Sequence, residues 1–162
     1  MIRDSLVYWA QNLGVDGFRV DLATILERDP NGNFHQGSEL LWELKNDPEL
    51  AGIKMIAEPW DAVGGYRLGY PSKNAGWAEW NDFFRDTVRK AVRGDEGQMT
   101  ALKEAILGSP GKFGSTYKGR EFSINFITSH DGMTLNDLVS YCLLYTSPSP
   151  RDLSTSRMPS SA

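Results

Sequence analysis

Four short apolar runs, at residues 15–23, 52–57, 77–80 and 122–128, alternate along this chain with four stretches of helical periodicity, at 2–13, 38–45, 83–92 and 99–107. A strand that feeds a helix cannot return as a hairpin. Its next strand pairs with it through a crossover, and the pair runs parallel. The alternation therefore predicts an α/β fold built on a parallel sheet. In 2–13, Ile2, Leu6, Trp9, Ala10 and Leu13 recur at three- and four-residue steps, and Gly14 stands where a C-cap belongs. Leu40, Leu41 and Leu44 mark the second helix, and Phe84, Val88 and Val92 the third. Residues 64–76 read as a loop, and 108–112 as a helix breaker whose glycines lack P-loop spacing.

The 162 residues suffice for one ordinary domain. The net charge of −4 offers no basic field to nucleic acid, and no apolar run is long enough to span a membrane. Cys142 is the single cysteine, so no internal disulfide forms. Two histidines and one cysteine, far apart in sequence, make no metal cluster. Residues 29–33, Asp-Pro-Asn-Gly-Asn, lack the spacing of a calcium loop and read as a turn, with His35 beside it in solvent. No cofactor is expected. The five tryptophans fit either a core or a surface that holds sugar rings.

Three of the apolar runs lead into ionisable residues, in the order Asp21, Glu58, Asp131. Along 18–22 the side chains alternate, so Phe18, Val20 and Leu22 share one face, and Arg19 and Asp21 the other. Two ions on a buried strand face are costly unless paired or used. Arg19 would hold Asp21 ionised, either as a nucleophile or as half of a structural ion pair. Glu58 follows Met55-Ile56-Ala57 and precedes Pro59-Trp60. Partial desolvation there would raise its pKa and suit it to donate a proton; the other reading is an exposed glutamate at a strand end. His130, before Asp131, reads as a donor to a sugar hydroxyl or as a satisfied loop histidine. Spaced carboxyl groups of this kind are what glycoside hydrolysis requires.

The segments 15–19, 56–61, 77–86, 124–127 and 130–141 together resemble isoamylase-type debranching enzymes of the α-amylase superfamily, glycoside hydrolase family 13. The resemblance implies a fragment of a (β/α)8 barrel, comprising about strands four to seven with their helices. It implies Asp21 as nucleophile with Arg19 as its partner, Glu58 as acid/base, and His130 with Asp131 as the pair that binds substrate and stabilises the transition state. Trp60 and Asp61 are implied contacts to the sugar beyond the cleaved bond. The implied reaction cleaves α-1,6 branches in glycogen or starch with retention, a branched α-glucan being the partner. Carboxyls about 5–5.5 Å apart are then expected. The rival readings are an α-1,4-acting amylase or transglycosidase of the same superfamily, and a non-catalytic glucan-binding subunit.

A whole barrel takes about 250 residues. Residues 1–141 are expected to form part of a catalytic barrel, with open strand edges and no activity alone. From 142 to 162 the chain is rich in Ser, Thr and Pro and is expected to be disordered. Residues 142–152 resemble translated adaptor or vector sequence rather than any enzyme; a genuine Ser/Pro tail is the alternative.

Overall fold

The computed structural model describes residues 1–34, 38–114 and 117–140. His35, Cys142 and the Ser/Pro-rich run 142–162 lie outside the described residues. The described chain forms a four-stranded sheet, all parallel, in the order β1-β2-β3-β4. Helix α1 (Ile2–Leu13) leads into β1 (Gly17–Val20). A 3-10 turn (Ala23–Glu27), α2 (Glu39–Asn46) and a second 3-10 turn (Pro48–Leu50) lead to β2 (Lys54–Ala57). Helix α3 (Tyr70–Ala75) precedes β3 (Ala78–Asn81). Then follow α4 (Asp82–Arg93), α5 (Met99–Ile106), α6 (Pro110–Phe113), α7 (Tyr117–Arg120), β4 (Ser123–Asn125) and α8 (Leu135–Ser140).

The parallel α/β sheet is as the alternation of periods predicts, and its strands are shorter. The first ends at Val20 rather than Ala23, because Leu22 takes a left-handed conformation (φ 44°) that breaks the alternation of faces. The last ends at Asn125 rather than Thr128. The loop read at 64–76 contains α3, a helix too short to display a 3.6-residue period. In α1, Leu6, Val7 and Ala10 meet the core, whereas Ile2, Trp9 and Leu13 of the expected face are exposed. Gly14 does cap α1 in a left-handed conformation (φ 69°).

The apolar core lies where α1, α2 and α3 meet β1 and β2. It gathers Ala10, Leu41, Leu44, Leu50, Ala57, Ala75 and Trp77, with Phe18, Val20 and Met55 packed against it. Gly17 lets the two strands approach closely, since a Cβ there would sit 2.7 Å from the Lys54 carbonyl oxygen. The β1 register, Gly17↔Lys54 through Val20↔Ala57, then puts Asp21 and Glu58 side by side just past the paired ends.

On the helix-facing side of β3, the fully buried Asn81 joins four segments. Its Oδ1 accepts from the Phe84 N–H at 2.9 Å and caps α4. Its Nδ2 donates to Ser109 Oγ and Ser123 Oγ, each at 2.8 Å, reaching the turn before α6 and strand β4. Asn81→Ala removes a cap and strips buried hydroxyls of a partner. It is expected to lower stability by about 2–4 kcal/mol. A shift in the urea midpoint checks this, with Asn81→Asp, which keeps the cap oxygen, falling between.

Candidate functional site

Parallel strands deliver their carboxyl ends to one edge of a sheet, and sites in such folds form there. Asp21 follows β1 directly and Glu58 follows β2 directly. Their environments differ sharply. The Asp21 side chain is 69% exposed, while that of Glu58 is 3% exposed. Arg19, from within β1, reaches both: Nη1 is 2.7 Å from Asp21 Oδ1, and Nη2 is 2.9 Å from Glu58 Oε1.

The turn after Asp21 adds a third contact to Glu58. Because Leu22 is left-handed, its N–H points back and donates to Glu58 Oε2 at 2.9 Å. Such a conformation costs about 1–3 kcal/mol in a non-glycine residue and is found where a site over-determines it. Ala23 N–H also donates to the Glu58 carbonyl, at 3.0 Å. Burial raises the Glu58 pKa above the ordinary glutamate value; the Leu22 N–H and Arg19 oppose this, and Asp21 adds to it by hydrogen bonding and by charge. The desolvation expected from the preceding apolar run is present. The Arg19 guanidinium bridges the two carboxyls, one terminal nitrogen to each.

His130 and Asp131 arrive from beyond β4. The Arg89 guanidinium holds the Ile127 carbonyl in the connecting stretch. His130 Nε2 lies 3.3 Å from Asp131 Oδ2, both side chains more than half exposed. The link to the other carboxylates is Trp80 of β3. Its ring stands 5.8 Å from the His130 ring, 5.5 Å from Phe126, and 4.6 Å from Arg19 Cζ. Sequence reasoning assigned Trp80 no role in the site. The signal was its place in the Trp77–Trp80 run that ends β3 at the same edge.

Asp61, expected to contact substrate, is instead enclosed. Its side chain is 0% exposed. Oδ2 accepts from Thr24 Oγ1 and Arg28 Nε, both at 2.9 Å; Oδ1 accepts from the N–H groups of Val63, at 3.0 Å, and Gly65, at 2.7 Å. Burial pushes its pKa up, but these donors outweigh burial and hold the carboxyl below the usual aspartate range. It braces the loop after β2 against the turn after β1. Trp60 is buried beside it, with Nε1 making no hydrogen bond among the described residues. A Trp60–Tyr66 bridge and the Tyr66 hydroxyl, donating to Asp82 at 2.9 Å, tie the same loop to α4. The turn at 29–33 forms as expected, with Asp29 accepting from the Asn31 and Asn33 N–H groups at 2.8 Å.

Beneath these loops Arg67 donates to the buried Glu27 at 3.1 Å and stacks on Tyr70, 3.4 Å from its centroid. Among the described residues, no three His, Cys, Asp or Glu side chains cluster to hold a metal ion. No helix there is long and apolar enough to cross a membrane.

Burial pushes Glu27 up to about 7 from an ordinary 4.5, with Arg67 opposing and Glu79 adding. The native state thus keeps this proton where the unfolded chain has released it. The Glu27 contribution to stability is fully present below 4.5 and falls as pH rises towards about 7. Thermal unfolding between about pH 5 and about pH 8 should show a falling Tm. Glu27→Gln, which still accepts from Arg67, should flatten that slope.

No protein-family model matches the chain. It is 45% identical over 141 residues to a glycogen operon protein GlgX homolog of Haemophilus influenzae, covering 85% of this chain and 21% of the relative. It is 41% identical over 160 residues to the chloroplastic isoamylase SU1 of Zea mays, covering 86% and 20%. Among solved structures it is similar to a pullulanase from Anoxybacillus complexed with maltotetraose, with a TM-score of 0.60, 27% identity, and coverage of 86% of this chain and 21% of that one. The chain spans about a fifth of the length of the curated relatives it matches.

Proposed function

We propose that this chain, a homologue of one segment of the GlgX and isoamylase proteins, is the part of an α-1,6-glucan debranching hydrolase that carries its nucleophile and its acid/base. The observation that carries this reading is the pairing of an exposed Asp21 with a buried Glu58, whose pKa burial raises, under one arginine at the carboxyl edge of a parallel sheet. Two carboxyls in contrasting environments take contrasting roles.

Asp21, ionised, attacks the anomeric carbon. The C1–O6 bond breaks, and Glu58 gives its proton to the departing oxygen. Water then attacks C1 of the glycosyl-enzyme, Glu58 takes the water proton, and Asp21 leaves. Asp131 and His130, next to Trp80, grip sugar hydroxyls, and Trp60 walls the leaving-group side. Arg19 orients Asp21. Asp61 supports this wall without touching sugar.

The sheet order supports assignment to an arc of a (β/α)8 barrel. Each strand pairs with its predecessor and the order never reverses, as in a barrel wall. Strands four to seven are the arc that the order of the three acidic segments supports. Residues 1–141 are then one partial catalytic unit.

The test is a hybrid in which residues 1–140 replace the homologous segment of the maize isoamylase. It should release linear chains from amylopectin and leave amylose intact. Glu58→Gln should slow it about 100- to 10,000-fold. The raised Glu58 pKa sets the alkaline limb: kcat/KM falls as pH rises through it, at higher pH than an ordinary glutamate would give. Cleavage of amylose alone would establish the α-1,4-acting reading. A Glu58→Gln hybrid of unchanged rate would establish the non-catalytic one.

A further inference from the structure

We propose that Trp80 is a positioning residue of this site: its indole seats the Arg19 guanidinium between Asp21 and Glu58 and carries His130 beside it, so that one ring fixes the two halves of the site relative to each other. The inference rests on the function proposed above and names a residue that it does not use.

The contacts of Arg19 show why a seat is needed. Its two terminal nitrogens face carboxylates on different strands' ends, at 2.7 and 2.9 Å. Its Nε and Nη2 are buried and make no hydrogen bond among the described residues, so Nη2 meets Glu58 as an ion pair alone. Two ion pairs alone let the guanidinium swing towards the exposed Asp21, where water solvates the pair well. The Trp80 ring, 4.6 Å from Arg19 Cζ, blocks that swing and attracts the cation. Glu58 then keeps its share of the arginine although it is the costlier of the two to ionise. The same ring meets His130 at 5.8 Å and Phe126 at 5.5 Å. The stretch bearing His130 and Asp131 leaves β4 five residues earlier and lacks strand pairing. Arg89 holds this stretch at Ile127, and Trp80 is its reference at His130.

The charged groups that face Glu58 are Arg19 from β1 and Asp21 from the turn after it, with the Leu22 N–H as a neutral donor. Arg19 lowers the Glu58 pKa and Asp21 raises it, so moving Arg19 towards Asp21 raises it further. A merely structural role for Trp80 gives no such signed effect.

The experiment is a 13C-carboxyl NMR titration of Glu58 in the full chain, in the parent, Trp80→Leu, Trp80→Phe, Arg19→Met and the combined variants. Trp80→Leu should raise the Glu58 midpoint by about one pH unit. Trp80→Phe, which keeps a smaller aromatic face, should shift it less and in the same direction. In the Arg19→Met background neither substitution should move it. Should Trp80→Leu fail to fold, the Trp80→Phe cycle decides. An unmoved Glu58 midpoint in the folded variant overturns the proposal, as does an equal shift with Arg19 absent. The readout needs no turnover. A positive cycle with an inactive hybrid would sink the proposed function alone, and a null cycle with a debranching hybrid would sink only the role of Trp80.

Discussion

The Arg19 guanidinium, shared between two carboxylates of opposite exposure, is the interaction on which the site depends. A lone buried glutamate would simply stay protonated, and a lone exposed aspartate would simply stay ionised. Joined through one cation they become a matched pair. Burial favours the proton on Glu58, and the arginine limits how strongly it is held. The geometry that permits this sharing is set by the sheet. Val20 and Ala57 are register partners, so the residues that follow them emerge together.

Behind this pair the loops are held by buried polar contacts rather than by apolar mass. Asp61 collects donors from Thr24, Arg28, Val63 and Gly65, and Glu27 is bound by Arg67. A buried carboxylate with several donors is directional, and removing one donor leaves an expensive charge behind. Such contacts suit loops that must hold a shape with little core beneath them. Asn81 serves the same purpose around β3, joining α4, β4 and the turn before α6.

The helices α1, α2, α4 and α5 and the parallel character of the sheet were legible because periodicity is a local property. The burial of Glu58 was legible for a similar reason, since an apolar strand delivers its last residue to a sheet edge. The enclosure of Asp61, which the resemblance implied as a sugar contact, was not legible because the arginine that claims it lies 33 positions away. Helix α3 was hidden by its length and by Pro71 in its first turn, which marks a helix start as readily as a loop. Trp80 could not be recognised as a joint because its partners come from positions 19, 126 and 130, which only the folded sheet brings together.

The strand order has a consequence for how such a chain is made. Each strand pairs with the one synthesised just before it. A nascent chain leaving the ribosome would therefore always find its pairing edge already exposed, and need not wait for a distant segment to close the register. Growth from β1 towards β4 would bring Asp21 and Glu58 together first, with Trp80 next and His130 last. The Asp21–Glu58 pair would be set before His130 and Asp131 arrive, so errors late in synthesis would fall on the stretch beyond β4 rather than on that pair.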